Sequence, residues 1–501
     1  MFNIKVIAFC LAWFFYAIPI SETTKVVAAE KPAMSPDAKP VEYDPGAFSP
    51  DPSYKDKKYD ALKQIEIYGG KSRFDEIRPL LELGRPIYLE GPFKKGLNLF
   101  GRKNPMYPGL HVYGDWRTAV GFNDNGNNEN GLIATRLNLD IDFRLTGTER
   151  LHALIQPLDN DGVFTKHEFS GDNDQGFERS TDLNLETLFF EGDLGAIAAG
   201  LADEYNSLDL PITFGLVPLL FQNGIWLDDA FIGGAFSIPA LHSTSLAISN
   251  MDITFFGGFD KVTTPAITDD NGELADKNIN LYGLTTFIEA NEGYWEAGFG
   301  RIDGEDGFGD FSYNSATLAF TKRYGGWLSN SLRGFVTFGQ DPDNNEQQTA
   351  DGLIFLAENS LITSKPSTFV PYGNFWLGLD RPQPLADATG LLKNTGITFE
   401  TNGLTGLPKL DDTGHDTFGG AIGLQYLFNL DQQIVVEGST VQIMGDPNDL
   451  GRAAADDQYG IGFRYQLPIS KAWIFRADAM YGFLDNTDDI AGVSFEIRVK
   501  F

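Results

Sequence analysis

The chain has 501 residues, a net charge of −31, 42% hydrophobic residues, 40 phenylalanines and one cysteine. No apolar run of eighteen residues follows the N-terminal segment, which excludes a bundle of membrane-crossing helices but not strands that carry half an apolar pattern. So large an acidic excess also excludes nucleic acid as a partner, because no basic surface dominates to neutralise phosphates.

Residues 1–29 have the form of a secretory leader. Lys5 supplies the basic start, Val6–Ile20 the apolar core, and Val27, Ala28 and Ala29 a small-residue cleavage site before Glu30. Cys10 lies inside that core, so the processed chain is expected to hold no disulfide, thiolate metal site or covalently attached haem. Residues 30–105 read as a linker. Pro32–Pro52 is proline-rich, and short helices are expected over Tyr54–Tyr68 and Phe74–Leu83. This stretch forms a cap or plug, or else a flexible tail.

From residue 106 the period changes to two. Leu110, Val112, Trp116, Val120 and Phe122 alternate with His111, Tyr113, Asp115 and Arg117, and Ile133–Leu145 repeats the pattern around Arg136, Asp140, Asp142 and Arg144. Eighteen strands follow from this pattern. The third to the sixth are Leu151–Leu158, Leu183–Glu191, Ala196–Tyr205 and Ala230–Ile238, and the last is Ile490–Phe501. Short turns, such as Thr146–Glu149 and Gly192–Leu194, alternate with long polar loops, such as Asp159–Thr181 and Arg381–His415. The expected fold is all-β, an antiparallel up-and-down barrel of about 18 strands over residues 106–501, with its apolar face in lipid.

The closing strand is the most specific feature. Val493, Phe495, Ile497, Val499 and Phe501 alternate with Ser494, Glu496, Arg498 and Lys500, and the chain ends on the aromatic residue. This resembles the last strand and assembly signal of Gram-negative outer-membrane β-barrels. The strand number, loop rhythm and arginine-bearing inner face resemble porins, including the eighteen-stranded substrate-specific and alginate-export types. The resemblance implies an outer-membrane protein in contact with lipid and lipopolysaccharide, built with the outer-membrane assembly machinery, with residues 30–105 in the periplasm. It implies a channel and no enzyme.

Two groups of residues are candidates for function. Asp115, Arg117, Arg136, Asp140, Asp142, Arg144, Arg464, Arg476, Asp478, Glu496, Arg498 and Lys500 are expected on the inner wall, seven basic against five acidic. They either set a field that guides anionic solutes or pair across strands, and the two roles can coexist. The stretch Asn206–Asp228, with Leu210, Phe214, Leu216, Leu220, Phe221 and Trp226, is too apolar for a loop in water. It either folds into the mouth as a constriction, adds two strands, or forms a contact patch. The five histidines show no metal-ligand spacing, and no cofactor is expected. The function read from this is passive diffusion of small hydrophilic, in particular anionic, solutes. Export of an anionic polysaccharide, or a sheath around a multihaem cytochrome, are the alternatives.

Overall fold

The computed structural model describes residues 77–501, apart from 86, 88–95, 161, 173–174, 270–271, 273, 343–346, 388–390, 393–402 and 429–431. The expected leader, Pro32–Pro52 and the helix over Tyr54–Tyr68 lie outside the described residues.

A strand with one apolar and one charged face leaves its backbone polar groups unpaired until neighbours flank it on both edges. Here a closed antiparallel barrel of 18 strands meets that need. The first two strands are β1 (Gly109–Asp124) and β2 (Glu129–Arg144). β3 runs as Arg150–Ile155 and resumes at Val163–Gly171, and β4 joins Gly176–Glu178 to Leu185–Asp193. Next come β5 (Pro211–Phe221), β6 (Leu227–Ser243), β7 (Ile248–Asp260), β8 (Ile279–Ala290) and β9 (Gly293–Gly304). β10 (Tyr313–Tyr324), β11 (Leu328–Phe338), β12 (Asp351–Leu361), β13 (Phe369–Arg381) and β14 (Thr417–Phe428) follow. β15 (Gln432–Ile443), β16 (Gln458–Pro468), β17 (Trp473–Leu484) and β18 (Ile490–Lys500) complete the sheet.

Closure is made by β1 against β18, in register from Asp115↔Lys500 to Asp124↔Ala491. Phe501 extends the ladder: its N–H donates to Gly114 O at 3.1 Å, and Gly114 N–H donates to Phe501 O at 2.9 Å. Below that point Leu81–Gly84 pairs with Leu110–Val112 and Gly109, and so covers the edge of β1 that β18 does not reach.

Five expectations need correction. Ala196–Tyr205 is not a strand: Leu194–Ala202 is helix α1. Its Leu-Gly-Ala-Ile-Ala-Ala-Gly run has no polar alternation, alanine favours helix, and Asp193 caps the first turn through Ala196 N–H. Asn206–Asp228 is not one loop, because its centre is β5, whose Pro211 and Pro218 hide a strand with lipid-facing Ile212, Phe214 and Leu216. The count of eighteen therefore stands with one member exchanged. Asp159–Thr181 holds the upper parts of β3 and β4, and the short turn at Gly192–Leu194 is a connection over 194–210. Finally, Leu81–Gly84 is a strand where the second linker helix was expected.

The two faces separate as alternation requires. Trp116, Phe122, Ile133, Phe143, Phe495 and Ile497 are exposed on the outer face. Tyr372 and Trp376 of β13 face inward: Tyr372 donates to Glu437 at 2.5 Å, and Trp376 is buried. The outer assignment makes a sharp prediction. Phe495→Arg places a cation in the hydrocarbon and lowers the unfolding free energy by about 2–4 kcal/mol. Denaturant titration of the barrel in phospholipid vesicles measures this, and an unchanged midpoint would contradict the assignment.

Candidate functional site

The interior is too wide for inward side chains alone to fill, and two connections fold in to occupy it. The first is the tip of the β5–β6 hairpin. Strand pairing from Phe221↔Leu227 down to Val217↔Phe231 continues above the level where β6 meets β7, at Ile232↔Asp260. Freed from β7, the tip reaches the wall formed by β9–β11. Trp226 is fully buried there, and its Nε1 donates to Ser315 Oγ at 2.8 Å. Thr317 Oγ1 donates to Gln222 Oε1 at 2.8 Å, and Arg333 Nη1 donates to Gln222 O at 2.8 Å. Glu358 holds that buried arginine at 2.8 Å.

The second is the connection between β13 and β14. Leu385 N–H donates to Trp226 O at 2.7 Å, and Ala386–Asp387 pairs with Leu227–Asp228 of the tip. Tyr313, buried on β10, donates to Pro384 O at 2.9 Å. Further along, the same connection lies on the opposite wall, where Asn123 Nδ2 donates to Thr405 O at 2.5 Å and Thr405 Oγ1 donates to Ser494 Oγ at 3.1 Å. Inward glycines make room for both connections. A Cβ on Gly298 would lie 2.7 Å from the Trp226 ring, on Gly300 2.4 Å from Leu385, on Gly121 2.6 Å from Thr405 and on Gly492 2.5 Å from Pro408. An apolar cluster from Ile225, Trp226 and Phe231 through Leu385 to Leu407 and Leu410 therefore bridges the bore.

Around the seam the wall is ionic. The register places all twelve candidate residues on the inward face. Arg117 lies between Arg498 and Arg136, Asp115 opposite Lys500, Arg464 opposite Asp478, and Arg476 opposite Glu496. Asp140, Asp142 and Arg144 continue this face toward the short-turn end. Most of these groups are paired. Arg117 Nε donates to Asp115 Oδ2 at 2.6 Å, and Arg498 Nε lies 3.0 Å from the same oxygen. Asp478 takes Arg464 at 2.7 Å and Arg476 at 3.1 Å, and Arg144 meets Asp142 at 2.8 Å. Arg476 also reaches Glu496 at 3.5 Å.

Of the apolar candidates, Phe214, Leu216 and Leu220 alternate on the outer face of β5, and Leu210 precedes it as the acceptor for Leu194 N–H. Only Phe221 and Trp226 belong to the bridge.

Several interior residues escaped the sequence reading. Asp159 turns inward, 4.0 Å from Arg136, where a long polar loop was expected. Arg150 and Glu191 pair at 2.8 Å, and His152 stacks on Phe189 within 3.4 Å of Glu191. Arg150 and Glu191 help line a cavity of about 780 Å³, which reaches the short-turn rim at Gly147, Gly192 and Asp209 and is roofed by Leu219, Phe221 and Leu227. Their signal was the inward parity of β3 and β4, obscured by the break at 156–162. Arg333 and Glu358 share the parity of their own strands and could have been found by it.

The β13–β14 connection carries two shifted groups. Burial, with Asp412 adjacent, pushes Asp411 from 3.8 up to about 6. Burial, reinforced by Arg381, brings His415 from 6.5 down to about 4. Docking of Asp411 therefore strengthens as pH falls through 6, and docking of His415 weakens as pH falls from 6.5 toward 4. The opposed signs predict that protection of residues 403–415 from protease changes little between pH 6 and 4. In Asp411→Asn only the histidine's effect remains, so cleavage rises as pH falls; equal pH profiles would contradict this.

No protein family and no curated protein matches the sequence. Solved structures do. OccAB2 of Acinetobacter baumannii aligns with a TM-score of 0.51 at 12% identity, over 78% of this chain and 98% of its own. OccK11 (OpdR) of Pseudomonas aeruginosa aligns with a TM-score of 0.50 at 12% identity, over 78% and 96%. With β18 closed on β1 and the apolar residues turned outward, the chain has the fold of a Gram-negative outer-membrane porin, a closed barrel of 18 antiparallel strands.

Proposed function

We propose that this protein is an outer-membrane channel for passive diffusion of small hydrophilic solutes, with anions favoured. One observation carries the reading. Arg136, Arg117 and Arg498 stand side by side across three strands, each a quarter to a third exposed, with Asp115 as the acid shared by two of them. Arginines arranged this way leave guanidinium edges toward the bore, where the low-dielectric wall strengthens their field. Ion pairing and solute guidance coexist in this arc.

The bridge made by the hairpin tip and the β13–β14 connection narrows the path and confines it to the charged side. It replaces the constriction loop expected from Leu210 to Trp226, with Trp226 as its anchor. A bridge of this kind counts against export of a polysaccharide chain and against a sheath for a haem protein, because both require a clear bore. Long loops then face the exterior with lipopolysaccharide, the short turns face the periplasm, and Phe501 on the closing strand serves as the signal for the assembly machinery after leader-directed export.

In planar-bilayer recordings, the triple substitution Arg117→Glu, Arg136→Glu and Arg498→Glu moves the reversal potential in a salt gradient toward cation preference. An unchanged potential would remove the arginines from the reading. Trp226→Ala loosens the tip and raises single-channel conductance severalfold; an unaltered conductance would place the narrowing elsewhere.

A further inference from the structure

The connection between β4 and β5 carries an apolar surface that the barrel does not cover. Helix α1 contains no charged residue and buries Gly195 against Leu208 and Gly200 against Phe100 and Asn104. Gly101 rests directly on it: a Cβ there would lie 1.8 Å from Gly200 O. Arg102 locks the contact, with its N–H donating to Asp203 Oδ1 at 2.9 Å and its Nε to Oδ2 at 3.2 Å. The unit formed in this way turns Leu97 (63% exposed), Leu99 (73%), Leu201 (72%) and Tyr205 (85%) outward. Arg102 and Lys103, together with the acids Asp203 and Glu204, flank these residues at the surface, and Arg102 is paired with Asp203.

We propose that α1 and the segment Leu97–Lys103 form a foot that lies in the phospholipid headgroup region at the short-turn end of the barrel. The proposal rests on the outer-membrane reading above. Two observations select lipid as the occupant. The foot continues the lipid-facing surface: Phe190 and Phe214 pair on the outer face of β4 and β5, and that ladder ends at Asp193↔Pro211, one residue before α1. None of the residues lining the bore's lower cavity belongs to α1 or to Leu97–Lys103; the lining ends at Gly192, Asp193 and Asp209. Exposed apolar side chains in this position suit the boundary of acyl chains and headgroups.

Site-directed spin labelling of the full chain tests this. The one native cysteine is removed by Cys10→Ser, and single cysteines are introduced as Leu99→Cys, Leu201→Cys, Phe214→Cys and Leu450→Cys. The labelled proteins are reconstituted in phosphatidylethanolamine–phosphatidylglycerol vesicles, and collision with oxygen and with a water-soluble nickel chelate is measured. Labels at 99 and 201 should collide with the chelate far less than the label at 450, a residue 95% exposed at the long-loop end, and more with oxygen. Chelate access at 201 equal to that at 450, with 214 still shielded, would overturn the foot while leaving the barrel in lipid. Chelate access at 214 as well would overturn the membrane reading itself. Shielding of 201 from both colliders would mean that protein covers the surface, and would also overturn the proposal.

Discussion

Lipid offers no partner to a backbone N–H or C=O, and this constraint governs the rest of the structure. A sheet can satisfy it only by having no edge, so the first and last strands must meet. Here the meeting is completed at its lower end by two short pieces: the terminal residue bonded to Gly114, and Leu81–Gly84 below it. Once the edge is gone, alternation assigns every side chain. Apolar residues can face outward without cost, and charged residues must face in, where water and counter-charges await them.

Closing so many strands creates a second requirement, to fill a bore that the wall cannot fill. The chain meets it unevenly. On the side of β6–β13, the inward positions on which the hairpin tip and the β13–β14 connection dock are largely apolar or small. On the side of the seam, inward positions are arginines that keep part of their surface exposed and the buried carboxylates that pair with them. A buried Arg333 inside the apolar half is tolerable because Glu358 and a tip carbonyl both satisfy it. The asymmetry gives the interior one filled, largely apolar half and one ionic wall.

Much of this was legible before any coordinates. The period of two, the inward residues near the seam and the position of the closing strand all follow from local pattern, because lipid enforces alternation residue by residue. The errors fell where local pattern is ambiguous. Pro211 and Pro218 argue against a strand, yet β5 accommodates both; the apolar run of α1 shows no period that separates it from a buried strand. The bridge was only half visible. Its apolar content marked the 206–228 stretch as unusual, but its docking partners lie far away in sequence, at Ser315, Arg333 and Leu385. The inward glycines at 298, 300, 121 and 492 were the remaining clue, since a wall position with no side chain invites something to rest on it.

The β13–β14 connection touches more than the bore. Through Thr405 it joins Asn123 of β1 to Ser494 of β18, so it spans the closing junction from within. A staple in that position can form only after the two end strands have met. Once formed, it opposes lateral unzipping at the one joint where the first and last strands of the barrel could otherwise part.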